Sequence, residues 1–299
     1  MNLSLRMSLA WACFLLLSTG CTPTEPGNVK TEPRAESQAS GTSTETESTP
    51  GTANNNIPSA HDSESAPDPS DDRIEAAEAA LTTGDFSGLN SIAKAILKDH
   101  PEHGYARLLL GLSLHKQLLY ERAIPEFEAA IRGGASFEKY DATWHFLGWA
   151  LYNTGRLKLA RAAFEKHLLA VPTEGDSHFA LGLIDADEGN DVAALIRFQR
   201  SIDLNTSAVE SGNQGRVADV AKAHARIADI HLARDQIVEA VLQLERCVTI
   251  WPAHYSAWFK LHRAHTQLGN DELAASSMKQ HDHWKAQANA EPKPGATKQ

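Results

Sequence analysis

Histidine is the residue type that most invites a chemical interpretation of this sequence, since 14 of the 299 residues are histidines. The densest groups are His262 with His265 and the run His281-Asp282-His283. Neither group provides a closed ligand set at a familiar zinc spacing, and side chains two residues apart cannot share one face of a helix. The sequence also holds no nucleophile elbow and no phosphate-binding or dinucleotide-binding loop. We therefore predict no catalytic residue, no metal site and no cofactor, and an enzyme or metal binder is the least favoured alternative.

Cys21 is the second candidate for chemistry. It ends the run Leu17-Ser18-Thr19-Gly20-Cys21, and the apolar segment before it is shorter than the ~20 residues that span a bilayer. These features resemble the signal peptide of bacterial lipoproteins. The resemblance implies that residues 1–20 are removed and that Cys21 carries acyl chains as a membrane anchor. The protein would then lie in the cell envelope, on the periplasmic side of the outer membrane in a Gram-negative host. The alternative is an ordinary secretory signal with an incidental cysteine.

Residues 21–72 have the composition of a disordered linker. Seven of the 13 prolines lie between 22 and 72, aromatic residues are absent there, and ten acidic residues face only Lys30 and Arg34. Such a segment cannot bury enough apolar surface to offset the entropy of ordering the chain. We predict an acidic stalk with an end-to-end distance of roughly 40 Å, which holds a folded domain away from a membrane.

Charge and cysteine content narrow the function of the remaining chain. Because the linker carries most of the net charge of −10, residues 73–299 are close to neutral, which gives no electrostatic reason to expect nucleic-acid binding. Cys13 would leave with the signal peptide and Cys21 would carry lipid, so Cys247 has no partner for an intramolecular disulfide. We predict that Cys247 is a small buried core residue.

A repeating pattern of apolar and small residues begins after the linker. Hydrophobic residues recur three and four positions apart, which indicates helices, and turn residues recur about every 17 positions. Three columns mark the repeat: Leu-Gly at 110–111, 147–148 and 181–182; Ala123, Ala160 and Ala194; and Phe127, Phe164 and Phe198. A period near 34 residues predicts a solenoid, whose units stack because none can bury its apolar face alone.

These columns resemble the tetratricopeptide repeat family, whose unit has a small residue at position 8, Gly near 15, Ala at 20, an aromatic residue at 24 and Pro at 32. The units begin near residues 70, 104, 141, 175, 221 and 255. The resemblance implies an all-α fold: a solenoid of about six helix-turn-helix repeats at 73–286. The disordered linker precedes it, and a polar disordered tail at 287–299 follows it. The small residues at 8 and 20 would let the two helices of a unit approach closely.

Two units depart from the pattern. The spacing between the units at 175 and 221 is 46 residues, and the surplus lies in the Ser-, Gly- and Asn-rich segment 206–217. A longer loop or an extended second helix is one interpretation, and a lip that contacts a partner is the other. In the last unit His262 occupies position 8, where Gly or Ala is usual, so we expect a splayed final helix pair.

In this family the first helices of successive units line a concave groove. The resemblance predicts that the following side chains form a partner-binding groove: Tyr105, Leu108, Leu112, His145, Trp149, Tyr152, Phe179 and Leu183. A contiguous apolar strip of this kind is typical of a binding site for a helical or extended peptide. The alternative is that these side chains pack against a superhelical neighbour or are covered by the linker.

Two functions fit this layout. The first is a membrane-anchored scaffold whose concave groove recruits an envelope protein or peptide, which the lipid tether would concentrate at the membrane. The second is a self-assembling structural protein of the envelope, in which the ends of the solenoid stack into homo-oligomers and cover Met278 and Trp284.

Overall fold

The computed structural model describes residues 72–133, 137 and 139–290. These residues form twelve α-helices and no strand: α1 Arg73–Thr83, α2 Phe86–Asp99, α3 Gly104–Lys116, α4 Tyr120–Arg132, α5 Tyr140–Asn153, α6 Leu157–Ala170, α7 Gly175–Asp187, α8 Asp191–Glu210, α9 Val217–Ala233, α10 Ile237–Ile250, α11 Tyr255–Gln267 and α12 Asp271–Ala290. Consecutive helices pack as six pairs, and the second helix of each pair also packs on the first helix of the next. The predicted all-α solenoid of about six helix-turn-helix units is confirmed.

Close packing within the three central pairs depends on a glycine that faces a phenylalanine. A Cβ atom added to each glycine would lie against the ring, at the following distances: Gly111 to Phe127 2.5 Å, Gly148 to Phe164 2.8 Å and Gly182 to Phe198 2.7 Å. All three rings are buried. The phenylalanine of the second helix therefore occupies the space that a side chain on the first helix would need.

The first and last pairs reach close packing with other side chains. In α2 the larger Leu89 stands at position 20 and the smaller Ala93 at position 24, and both are buried. In the last pair His262 Nδ1 donates to the carbonyl oxygen of Ala274 at 3.0 Å, and Ala274 is buried. His262 thus joins α11 to α12 by a hydrogen bond, and the expectation of a splayed final pair is wrong.

Most turns within a pair place a glycine in the left-handed region of the backbone. The glycines with φ between 74° and 78° are Gly84, Gly155, Gly189 and Gly269. In the second and fifth pairs Leu118 (φ 60°) and Asp235 (φ 57°) adopt this conformation instead. Because a Cβ atom makes this region costly, these two turns are the strained ones.

The surplus residues at 206–217 lengthen two helices. Helix α8 has 20 residues, whereas its counterparts α4, α6 and α10 have 13 or 14. Helix α9 has 17 residues, and a 3₁₀ turn at Gln214–Arg216 precedes it. The interpretation as an extended second helix is confirmed, and the role of a lip stays a prediction.

The signal peptide, Cys21 and the linker up to residue 71 lie outside the described residues. Helix α12 continues to Ala290, past the boundary expected at 286. Cys247 is a buried free cysteine, as predicted. Within the part of the chain that the structure describes, no helix has the length and apolar character that crossing a membrane requires.

Candidate protein-interaction surface

The side chains predicted to line the concave groove are largely inaccessible. Six of the eight are buried: Leu108, Leu112, His145, Trp149, Phe179 and Leu183. They belong to α3, α5 and α7, the first helices of three successive pairs, and these helices contact one another directly. Their burial corrects the prediction of an open apolar strip and favours the alternative that they pack against neighbouring units.

The aromatic residues of this region fill the joints between pairs. The Trp149 ring meets the Phe164 ring edge-on, with centroids 5.6 Å apart, and its Nε1 donates to Asp176 Oδ2 at 2.9 Å. The Phe179 ring lies 5.5 Å from that of Phe198. Aromatic side chains at these positions therefore supply buried contact area to the stack rather than an exposed surface for a ligand.

Tyr105 and Tyr152, the other two predicted groove residues, are half-buried. The Tyr105 hydroxyl donates to Glu78 at 2.5 Å and accepts from the Lys139 ammonium at 2.6 Å. The Tyr152 hydroxyl donates to Asp187 at 2.9 Å, and burial together with this carboxylate raises the pKa of Tyr152. Each hydroxyl therefore joins neighbouring pairs of helices.

Asp176 is the centre of a buried polar network between α5 and α7. Besides the bond from Trp149, its Oδ2 lies 3.2 Å from His145 Nε2. Burial alone would raise the pKa of Asp176. The hydrogen bond and electrostatic interaction with His145, the charge of Arg216 and the Trp149 bond outweigh burial and lower the pKa to about 2. Asp176 is thus a paired carboxylate at neutral pH.

Ser177, His145 and Asp176 have the composition of a catalytic triad. Ser177 Oγ lies 3.0 Å from His145 Nδ1 and 2.8 Å from His167 Nδ1. A nucleophile must be open to substrate, however, and Ser177 is fully buried. Burial, with a contribution from His145, lowers the pKa of His167 to about 3. The group is therefore a neutral structural bridge across three helices.

Arg216 is a structural residue that the sequence analysis did not single out. The 3₁₀ turn directs its guanidinium back onto Glu174 Oε1 at 2.8 Å and Asp219 Oδ2 at 3.3 Å. The Lys222 ammonium lies 3.1 Å from the other oxygen of Asp219. The surplus segment is thus fastened to the start of α7. The signal in the sequence is the i, i+3 spacing of Arg216, Asp219 and Lys222 within a segment otherwise rich in Ser, Gly and Asn.

The last pair carries the exposed part of the inner face. On α11, Tyr255 is 40% exposed and Phe259 is 41% exposed. The residues that correspond to Phe259 in the four preceding units are buried: Leu108, His145, Phe179 and Ala225. The difference arises because the next first helix covers each earlier position, and within the described residues no pair follows α11 and α12. His281 packs beside Phe259 at 5.3 Å, and its Nδ1 donates to the Tyr255 carbonyl at 2.9 Å.

Charged side chains surround this aromatic pair. Lys260 and Arg226 both reach the Asp229 carboxylate, at 2.6 Å and 3.4 Å. Arg263, one turn after Phe259, is exposed. Aromatic surface beside arginine is the composition enriched at protein interfaces. The sequence analysis missed this surface, although Phe259 belongs to the same column as Phe179.

The densest histidines bind the backbone. His262 and His281 each donate from Nδ1 to a carbonyl oxygen, of Ala274 and Tyr255 respectively. Among residues 72–133, 137 and 139–290, no group of three or more His, Cys, Asp or Glu side chains could hold a metal ion.

Tetratricopeptide repeat family models match residues 74–137 and 142–168. This chain contains tetratricopeptide repeats. The matched residues cover the first three helix pairs, which include two of the three glycine–phenylalanine contacts. No curated protein matches the sequence.

Solved structures of tetratricopeptide repeat proteins share the fold at low sequence identity. A chain of the APC/C hetero-tetramer Cut9–Hcn1 matches with a TM-score of 0.59 and 14% identity, over 72% of this chain and 39% of that one. PilW, described as a widely conserved type IV pilus biogenesis factor, matches with 0.57 and 16%, over 73% of this chain and 93% of that one. PilF of Pseudomonas aeruginosa matches with 0.56 and 15%, over 72% and 96%. These likenesses establish the fold.

Proposed function

We propose that this protein is a membrane-anchored interaction scaffold, which recruits an envelope protein or peptide through the inner face of α11. Tetratricopeptide repeat proteins generally mediate protein–protein interactions. The observation that carries the proposal is the exposure of Tyr255 and Phe259, 40% and 41%, at inner-face positions. In the preceding units the residues that correspond to Phe259 are buried.

The chemistry of this surface favours a partner segment with an apolar anchor and a nearby carboxylate. Tyr255 and Phe259 offer aromatic contact area, and Arg263 offers an exposed guanidinium one turn further along α11. Arginine binds carboxylates in a bidentate manner, and aromatic residues dominate binding energy at interfaces. Because one helix face binds a short segment, we expect a dissociation constant on the order of micromolar.

Cys21 supplies the anchor in this proposal. Each buried CH₂ group contributes about 0.8 kcal/mol, so two or three acyl chains would hold the protein almost permanently in the membrane. The acidic linker would let the solenoid search a range of roughly 40 Å from the surface and would raise the effective concentration of a recruited partner. The expected location is the cell envelope, on the periplasmic side of the outer membrane in a Gram-negative host.

Site-specific photo-crosslinking tests the binding surface. A photoreactive amino acid replaces Phe259 in the full-length protein, expressed in its own cells. The matched control replaces Leu169, which is 78% exposed on α6. We expect a discrete crosslinked partner from position 259 and none from position 169. Identical adducts from both positions, or none from 259, would contradict the proposed surface.

Metabolic labelling tests the anchor separately. An alkyne fatty acid supplied to the cells should label the wild-type protein, and the Cys21→Ser variant should lose the label, because serine offers no thiol for acylation. Labelling that persists in Cys21→Ser would rule out this anchor while leaving the α11 surface untouched.

A self-assembling envelope protein is the second candidate function. It is favoured by a separate set of exposed aliphatic side chains, on the outer side of α8 and α10.

A further inference from the structure

The outer side of the fourth and fifth helix pairs carries the same surface twice. We name as the outer stripes two sets of residues spaced one turn apart: Val192, Ile196 and Arg200 on α8, and Val238, Leu242 and Arg246 on α10. The four aliphatic side chains are 53–67% exposed, and both arginines are exposed.

The corresponding positions of the other pairs hold different residues. They are Ser87, Ser91 and Ala95 on α2; Glu121, Pro125 and Ala129 on α4; Lys158, Ala162 and Lys166 on α6; and Glu272, Ser276 and Gln280 on α12. The solenoid therefore does not need aliphatic residues there. Single exposed aliphatic residues are ordinary on a protein surface, but aligned pairs on adjacent units form a contiguous patch, which marks an interaction site.

Helices α8 and α10 lie side by side. Helix α9 packs on both of them. Arg234, in the turn before α10, places its Nε 2.9 Å from the Asp191 carboxylate at the start of α8. The two second helices therefore begin at the same edge of the solenoid and run in the same direction, with the stripes in register.

Charge is distributed unevenly along each stripe. Asp191 and Glu239 stand beside the first residues of the stripes, whereas Arg200 and Arg246 stand at their ends. Within the described residues neither arginine forms an ion pair, and Glu239 forms none either. Residues four apart on a helix are separated by about 6 Å along its axis. A surface with anions at one end, aliphatic residues in the centre and cations at the other end is complementary to its own copy turned end to end.

We propose that the protein forms a two-fold symmetric dimer through the outer stripes, with α8 against α8 and α10 against α10 of a second copy, antiparallel. Ile196 and Leu242 lie next to the symmetry axis, and Arg246 lies opposite Glu239 of the second copy. This isologous arrangement removes four aliphatic side chains of each copy from water and pairs the arginines. An interface two helices wide is at the small end of the range, so its dissociation constant is on the order of micromolar. The inner face of α11 stays open in the dimer, so this inference does not depend on the proposed partner.

Cysteine crosslinking of the full-length protein in its own membranes tests the dimer. Burial raises the pKa of the native Cys247 to about 12, so this thiol stays unreactive. Under mild oxidation, Ile196→Cys is expected to form a covalent dimer across the axis. Val192→Cys is expected to stay monomeric, because its two copies would lie about 12 Å apart along the helices, beyond disulfide reach. Leu169→Cys, equally exposed but on α6, is the control for random collision and should also stay monomeric.

A charge exchange tests the antiparallel pairing with the Ile196→Cys crosslink as the readout. Glu239→Arg alone and Arg246→Glu alone place like charges opposite each other and should each lose the crosslink. Both changes in one chain restore opposite charges and should restore the crosslink to the original level. Recovery in the double variant also shows that the loss in either single variant is not misfolding.

Three results would overturn the proposal. They are absence of a covalent dimer from Ile196→Cys, equal crosslinking from positions 196 and 169, and crosslinking that ignores the charge exchange. Adducts of Ile196→Cys with a different protein, or binding of the stripes to lipid vesicles with no dimer present, would likewise assign the patch to another occupant.

Discussion

In the three central pairs the aromatic residues of the inner face point into the protein, whereas in the last pair they point out of it. Phe179 packs on Phe198 between two units, but Phe259, in the same column, is 41% exposed. The two regions also differ inside each pair, because the central pairs use a glycine against a phenylalanine and the fifth pair uses Ala228 and Leu244, both buried. The comparison shows that one repeat position serves as core or as surface according to whether another helix is stacked on it.

The largest expected effect on the central region comes from Phe164→Ala. The ring is fully buried against Gly148 and Trp149, so its removal leaves a cavity and should lower the free energy of unfolding by about 3–5 kcal/mol. Leu169→Ala on the same helix is the matched control, because Leu169 is exposed and its loss should change stability by less than about 0.5 kcal/mol. Urea denaturation followed by circular dichroism measures both values. Equal losses would mean that the Phe164 ring is not part of the core.

A smaller effect is expected from Gly148→Ala, which places a methyl group 2.8 Å from the Phe164 ring. Overpacking of this kind should cost about 1–3 kcal/mol. Adding Phe164→Leu recreates the Ala–Leu combination of the fifth pair and should recover part of that loss, because the smaller side chain makes room for the methyl group. A double variant less stable than either single variant would show that the two regions are not interchangeable. Thermal and urea denaturation of the three variants decide this.

The sequence was sufficient for the fold and insufficient for the binding surface, and the reason is visible in particular residues. The Leu-Gly, Ala and Phe columns predict helix pairing because those contacts, such as Gly148 with Phe164, lie within one repeat and recur in register. The exposure of Trp149 depends on contacts with the next unit, including the bond to Asp176, and a repeat profile does not contain that information. Arg216 was missed for the same reason, since its carboxylate partner Glu174 is 42 residues away.

Acid should destabilise the central region through its buried histidines. Burial lowers the pKa of His115 and of His167 to about 3, and that of His254, in the last turn of the chain's stack, to about 4. All three values lie below the ordinary 6.5, so below pH 6.5 the unfolded chain binds more protons than the folded protein. Stability is therefore full above the ordinary pKa and falls as the pH drops towards the folded values.

His167→Gln isolates one of these contributions. Losing one histidine should flatten the dependence of the unfolding free energy on pH by about 1.4 kcal/mol per pH unit between about pH 6 and pH 4. Urea denaturation at several pH values in this range measures the slope for the wild-type protein and the variant. An unchanged slope would show that His167 titrates alike in the folded and unfolded chain.

The smallest effect on stability is expected from Phe259→Ala, and this is what distinguishes the last pair from the central ones. Because the ring is already 41% exposed and no described unit is stacked on it, its truncation should change the free energy of unfolding far less than Phe164→Ala does, by about 1 kcal/mol or less. Recovery of the partner identified by crosslinking should nevertheless fall sharply, since an exposed aromatic residue at an interface contributes to binding rather than to folding. Phe179→Ala in the same column should behave in the opposite way, with a large loss of stability. If both variants lost stability equally, the inner face of α11 would be core like the rest, and the contrast between the two regions would disappear.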